Sequence, residues 1–298
     1  MTHLAHVSWD TWVVQLPLTA ACVFTAMLYL RGWLALRTDA SRVVQRWRAA
    51  SFLLGVVLIW VAIGWPLASL HTELLTVHMV QHLLIMTVAA PLILLGAPAR
   101  PFLLGLPSSL LHACIRPGVC GPAQQLARVF RRRVVCWTGA TATLVGWHIP
   151  ALFTLAMHSE AWRAFELTSF LTTGLLFWWP VVRSWRAAAT PAGWAIVLYL
   201  FLATLPCDVL SAFLVFSERV AYPVYLSAPR HSSLSVLEDQ QLAGALMWTV
   251  VTIVYLAAAA ILSIRLLSRQ ADAEAAFARS EFAGSTLLDD DRNSAEVA

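Results

Sequence analysis

The chain has 298 residues, 59% of them hydrophobic and only 12% charged, with a formal net charge of +4. Soluble domains carry about 25% charged residues, so a water-soluble fold would have to hide more apolar surface than its interior can take. All twenty basic residues are arginine, and they sit in loops between apolar stretches, which argues against a nucleic-acid partner.

A spanning helix needs about 20 apolar residues. Seven such runs follow one another: Thr11–Leu30, Ala50–Leu70, Val77–Leu95, Val134–Met157, Phe165–Val182, Trp194–Phe216 and Gln240–Leu262. They are too long and continuous for barrel strands, and helices satisfy their own backbone groups in lipid. The expected fold is therefore all-α, an integral membrane bundle of about seven transmembrane helices over residues 1–269. The polar stretch 270–298, with Asp289, Asp290 and Asp291, reads as a disordered cytoplasmic tail. Arg31 follows the first run, so the positive n-region of a cleavable signal peptide is missing.

Arginine placement gives the expected orientation. Arg31, Arg37, Arg42, Arg46 and Arg48 follow run 1, and Arg100, Arg116, Arg128 and Arg131 to Arg133 follow run 3. Arg183 and Arg186 follow run 5, and the C-terminal end holds Arg265, Arg269, Arg279 and Arg292. The opposite loops hold only Arg163, Arg219 and Arg230. Cytoplasmic loops carry the excess of positive charge, so the N-terminus is expected outside and the C-terminus inside. The proline-rich loop from Ala97 to Arg133 is an ordinary positive-inside loop on this reading, and its end, Ala123–Arg133, could instead form a basic surface helix.

Ionisable residues inside a membrane are costly, and each is a functional hypothesis. Here they gather toward the outer side: His78 and His82 in run 3, His148 in run 4, Cys207 and Asp208 in run 6, and Glu166 and Asp239 at the openings of runs 5 and 7. The inner halves hold none, a pattern that fits an outward-opening site better than a conduit. His78 and His82 are four residues apart and share a helix face, so both can reach one metal ion. His71 lies two turns before His78 on that stripe and Met86 one turn after His82. Imidazole suits copper, zinc, iron and nickel, and a thioether adds a preference for Cu(I). The competing reading is two outer-helix histidines bonded to neighbours and interfacial water. Pro150 kinks the helix beside His148, and Pro206 frees the Leu202 carbonyl beside Cys207 and Asp208. Asp239 at a helix N-terminus is explained by the helix dipole alone. Cys22, Cys114, Cys120, Cys136 and Cys207 show no zinc or disulfide spacing.

With these residues in place the chain resembles the CtaG family of cytochrome c oxidase assembly factors. HMVQHLLIMTVAAPLILLGAPARP, His78 to Pro101, is similar to the family's helix-3 signature. WHIPALF from Trp147, GLLFWWPV from Gly174, SAFLVFS from Ser211 and LEDQQLAGALMW from Leu237 follow in family order. The resemblance implies a bacterial inner-membrane protein that helps mature a haem-copper oxidase, with oxidase subunits, membrane lipid and extracytoplasmic copper carriers as partners. It implies copper as the metal and supports His78, His82, His148 and Asp239-Gln240-Gln241. One departure stands out: family members commonly carry Glu-His where this chain has Glu166-Leu167.

The expected function is an assembly factor that holds copper at His78, His82 and His148, with Cys207, Asp208 and Met86 as further ligands, and releases it by ligand exchange. No nucleophile–base pair or phosphate loop points to an enzyme. The alternatives are a copper transporter, which calls for polar stations in the inner halves, a haem protein with facing His ligands, and a metal-free scaffold.

Overall fold

The computed structural model describes residues 9–36, 42–64, 67–107, 132–186, 193–229 and 233–296. Among these residues the chain is helical and no strand is present. The elements are α1 (Trp9–Ala35), α2 (Arg42–Ile63), α3 (Leu67–Leu70), α4 (Leu75–His82), a π-helical stretch (Leu83–Ala89), α5 (Ala90–Leu95), α6 (Ala99–Gly105), α7 (Arg133–Trp147), α8 (Pro150–His158), α9 (Glu160–Arg186), α10 (Gly193–Phe216), a 3₁₀ turn (Pro223–Leu226) and α11 (Val236–Glu296).

Six helical stretches are long and apolar enough to cross a membrane, or seven if α7 and α8 form one span. Large apolar side chains such as Phe24, Val209, Phe213, Phe216, Ile253 and Ile264 lie on the outside of the bundle. In water that surface would be a severe aggregation liability; facing lipid it needs no partner. The protein is a multi-pass membrane protein.

Run 4 is where the sequence expectation changes shape. α7 and α8 meet at a 75° bend. A proline ring disfavours helical backbone in the residue before it, and Ile149, before Pro150, is extended with ψ 124°. The helix therefore ends at Trp147, and His148 is its C-cap. Pro206 has the opposite outcome: α10 runs through it without interruption, so the expected opening of that helix does not occur. α11 continues to Glu296, so the backbone of residues 270–296 is helical where composition points to disorder. Cys114, Cys120, His3, His6, His112, His231 and all but the last two residues of Ala123–Arg133 lie outside the described residues.

Within the span Leu75–Leu95, Pro91 forces a local solution. Proline has no N–H to give. The Ala90 N–H bonds to the Ile85 carbonyl, a five-residue reach, which leaves the Met86 carbonyl without its α-helical donor. Its π-helical donor would be Pro91, which has none. The Trp178 indole N–H fills the gap, donating to Met86 O at 3.0 Å. α9 comes this close because position 174 is glycine: a Cβ there would lie 3.1 Å from Met86 Cα and 3.2 Å from Met86 O. The core that surrounds this contact is drawn from α4, the π stretch, α9, α10 and α11, with Phe170, Phe177, Trp178, Tyr199, Met247 and Tyr255 buried together.

Candidate metal centre

α4 is two turns long and buries Leu75, His78, Met79, Gln81 and His82. The spacing of four puts both imidazoles on the face turned to α9, and their rings lie 4.5 Å apart. α9 starts at Glu160, so Arg163 and Glu166 stand inside a helix rather than in a loop before it. Arg163 and Glu166 are three residues apart, one turn, and so share a face.

The four side chains form one buried cluster. Glu166 Oε1 lies 3.3 Å from His78 Nε2 and 3.3 Å from His82 Nε2. Arg163 Nη1 donates to Glu166 Oε2 at 2.5 Å and faces His78 Nδ1 at 3.3 Å. Arg163 Nη2 donates to Gln81 Oε1, and Gln81 Nε2 donates to the Ala62 carbonyl at 2.7 Å. Glu166 and His78 are fully buried, and His82 is 6% exposed. The ring of Phe153 lies 4.7 Å from that of His78, and the ring of Phe170 4.1 Å from that of His82. These phenyl walls keep water off the imidazoles.

A carboxylate in such a place needs a cation, and Arg163 supplies one. The other carboxylate oxygen is different. Glu166 Oε1, His78 Nε2 and His82 Nε2 are all buried, and beyond their 3.3 Å contacts with one another none has a hydrogen-bond partner among the described residues. One ligand atom from each residue falls within 4.8 Å of the other two. Two convergent imidazole nitrogens and a carboxylate oxygen are what a borderline transition metal such as Cu(II) or Zn(II) takes, so the donor set fits the copper that the resemblance implied.

Guanidinium groups only donate. With Arg163 facing it, His78 Nδ1 is the acceptor nitrogen, and the ring proton belongs on Nε2, toward Glu166. Arg163 thus keeps the cluster neutral as it stands. Outside the spans, His71 Nδ1 donates to the Ala68 carbonyl, 2.8 Å away. Burial, and then the nearby Arg163, lower its pKa to about 4, so it is neutral at pH 7. Burial likewise pushes the hydroxyls of Tyr222 and Tyr225 up. Tyr222 donates to the His148 carbonyl at 3.1 Å, and Tyr225 to the His71 carbonyl at 3.0 Å.

The residues singled out from sequence divide into groups. His78 and His82 meet at Glu166. His148 does not join them; its Nδ1 lies 2.7 Å from the Leu144 carbonyl, and it lines a separate cavity with His82, Met86 and Cys207. Asp208 is not among the residues lining that cavity, and its Oδ1 is buried with no hydrogen-bond partner among the described residues. His71 is not on the same helical stripe as His78, because α4 begins only at Leu75; its ring still comes within 6.3 Å of His78's. Leu167, where the resemblance expected a histidine, packs against the core.

Sequence reasoning passed over Arg163 and Gln81 and treated Glu166 as a helix opener. The signal was present in two places: Gln81 sits between the histidines, and Arg163 stands one turn before Glu166. Asp239 and Gln240 serve the scaffold. Asp239 accepts the backbone N–H groups of Leu75 and Thr76, and Gln240 binds the Ala221 N–H and the Arg219 carbonyl.

A family model described as cytochrome c oxidase caa3 assembly factor (Caa3_CtaG) matches residues 27–269. No curated protein and no solved structure matches the chain.

Proposed function

The chain belongs to the cytochrome c oxidase caa3 assembly factor family, and from that premise we propose that it binds a copper ion at His78, His82 and Glu166 and passes it toward the oxidase. Copper is cargo on this reading: the protein holds and releases it, with no turnover chemistry. The observation that carries the proposal is the convergence within 4.8 Å of three buried ligand atoms whose contacts among the described residues are only with one another. Buried polar atoms left unsatisfied are rare in native proteins and call for an explanation. A metal ion supplies one here, since it would meet all three at once.

Glu166 takes, in this reading, the place that position along the spans gave to His148 and Asp208 and that the resemblance gave to His148. It also lessens the weight of Leu167, because the carboxylate beside it already completes a three-ligand set. In this reading the protein lies in the bacterial inner membrane with the cluster toward the outer side, where copper carriers and the oxidase's extracytoplasmic surface are within reach.

The test is metal content after copper loading and desalting, with wild type beside His78→Gln/His82→Gln and Glu166→Gln. Copper bound to wild type and absent from both variants supports the proposal. Equal copper in all three, or none in a folded wild type, overturns it and leaves a metal-free assembly scaffold.

A further inference from the structure

Beside the cluster lies a cavity of a different chemical kind. It is lined by Met79, Met86, Met247 and Cys207, together with His82 and His148. The chain has only six methionines, and three of them meet here. Methionine usually fills irregular gaps in a core. At this point the gap stays open, at about 40 Å³, whereas roughly 10–15 Å³ already admits a water. These side chains pack in the core and still leave room for an ion between them.

The imidazole of His148 gives a second, independent sign. Its Nδ1 is 2.7 Å from the Leu144 carbonyl. A carbonyl only accepts, so Nδ1 carries the proton and Nε2 is a bare lone pair. That Nε2 is buried and has no partner among the described residues, on a residue 7% exposed. A backbone carbonyl fixing one nitrogen while the other is left free is how metal-binding histidines are oriented. The backbone that carries it is held by the bend at Ile149–Pro150 and by the Tyr222 hydroxyl on its carbonyl. Cys207 is also held, its Sγ 3.8 Å from Ser211 Oγ one helical turn on.

We infer that this cavity is a second metal site, selective for a soft monovalent cation of the Cu(I) class, bound by thioether and thiol sulfur with His148 Nε2. Soft sulfur ligands select Cu(I), whereas imidazole and carboxylate suit harder divalent ions. The two sites differ in ligand class but share a wall, because His82 both faces Glu166 and lines the cavity. The residues of this site come from four elements: α4 with its π continuation, the end of α7, α10 and α11. It stands on residues other than His78 and Glu166, so it does not depend on the cluster's holding copper.

Silver(I) is the probe, since it matches Cu(I) in softness and does not change oxidation state in air. Full-length protein in lipid nanodiscs is loaded with Ag(I), desalted, and examined by silver X-ray absorption. Sulfur scatterers around the retained silver are expected in wild type. Silver affinity in Cys207→Ala/Met247→Leu is expected to fall by at least the ~10-fold that losing even a supporting partner costs a metal site. His78→Gln/Glu166→Gln is expected to keep the sulfur-bound silver. Nitrogen and oxygen scatterers only in wild type, or unchanged affinity in the folded sulfur variant, would overturn the inference. If the sulfur variant does not fold, the wild-type spectrum decides alone. A sulfur-bound ion that survives while the cluster variants lose no copper would sink the proposed function and leave this site standing.

Discussion

Asp239, in the first turn of α11, accepts the backbone N–H of Leu75 at 2.7 Å, across 164 residues of chain. Its other oxygen takes the Thr76 N–H at 3.2 Å, and the Thr76 hydroxyl donates back to the Asp239 carbonyl at 3.1 Å. The first N–H groups of a helix have no partner within it, and the residue before α4 is Leu74, which offers no capping side chain. A carboxylate from another helix does that work and fixes where the His78–His82 helix begins.

Asp239→Ala should therefore cost about 0.5–2 kcal/mol, the range for a lost N-cap. A thermal-unfolding comparison in one detergent reads this out. Because His78 sits three residues from Leu75, copper retention should weaken with it, while Asp239→Asn, which keeps an acceptor, should lie in between. Wild-type stability and retention in Asp239→Ala would show that α4 is set by its packing alone.

Arg163→Gln should move two readouts in opposite directions. It strips the cation from a fully buried carboxylate, and breaking such a pair costs roughly 3–5 kcal/mol, so the apo protein should melt earlier. Copper affinity should rise, because the guanidinium no longer competes for Glu166 and His78 Nδ1 is free to take the ring proton from Nε2. A variant that is less stable and also binds copper less well would contradict the competition.

The Met86 carbonyl offers a third check. Trp178→Phe keeps most of the ring but removes the N–H that meets it at 3.0 Å. An unsatisfied buried acceptor costs about 1–3 kcal/mol, and loss of thermal stability in that range is the expected result. Gly174→Ala acts on the same contact by crowding it, its Cβ 3.1 Å from Met86 Cα, and should destabilise by about 1–3 kcal/mol. If both variants melt like wild type, the contact does not hold the π stretch.

How far the chain could be read without its structure depends on which residues are asked about. Hydropathy finds the spans because lipid demands long apolar helices, and the His78–His82 spacing announces a shared face. Arg163 and Glu166 were hidden by that same measure. An apolar run begins at Phe165, so Arg163 reads as loop, although α9 starts at Glu160 and carries both residues inside the bundle. Charged residues that neutralise one another lower a hydropathy average without ending a helix. His148 was legible as polar and proline-flanked, but not its direction, which follows from the 75° bend between α7 and α8. Asp208 shares its height along α10 with Cys207 but does not line the same cavity, because a neighbouring residue on a helix points about 100° away.

The π stretch Leu83–Ala89 also carries a consequence for phase. Accommodating an extra residue in one turn shifts the angular position of everything beyond it by about 100° relative to a regular helix. Below it, the Leu92 carbonyl accepts the Ser51 hydroxyl at 2.8 Å on α2; above it, His78 and His82 face Glu166 on α9. A regular helix of the same length could satisfy one of these partners and not both. The span behaves as two rigid rods joined by a fixed rotational offset, and deleting a single residue such as Leu84 would restore a regular helix while turning the histidines off their carboxylate.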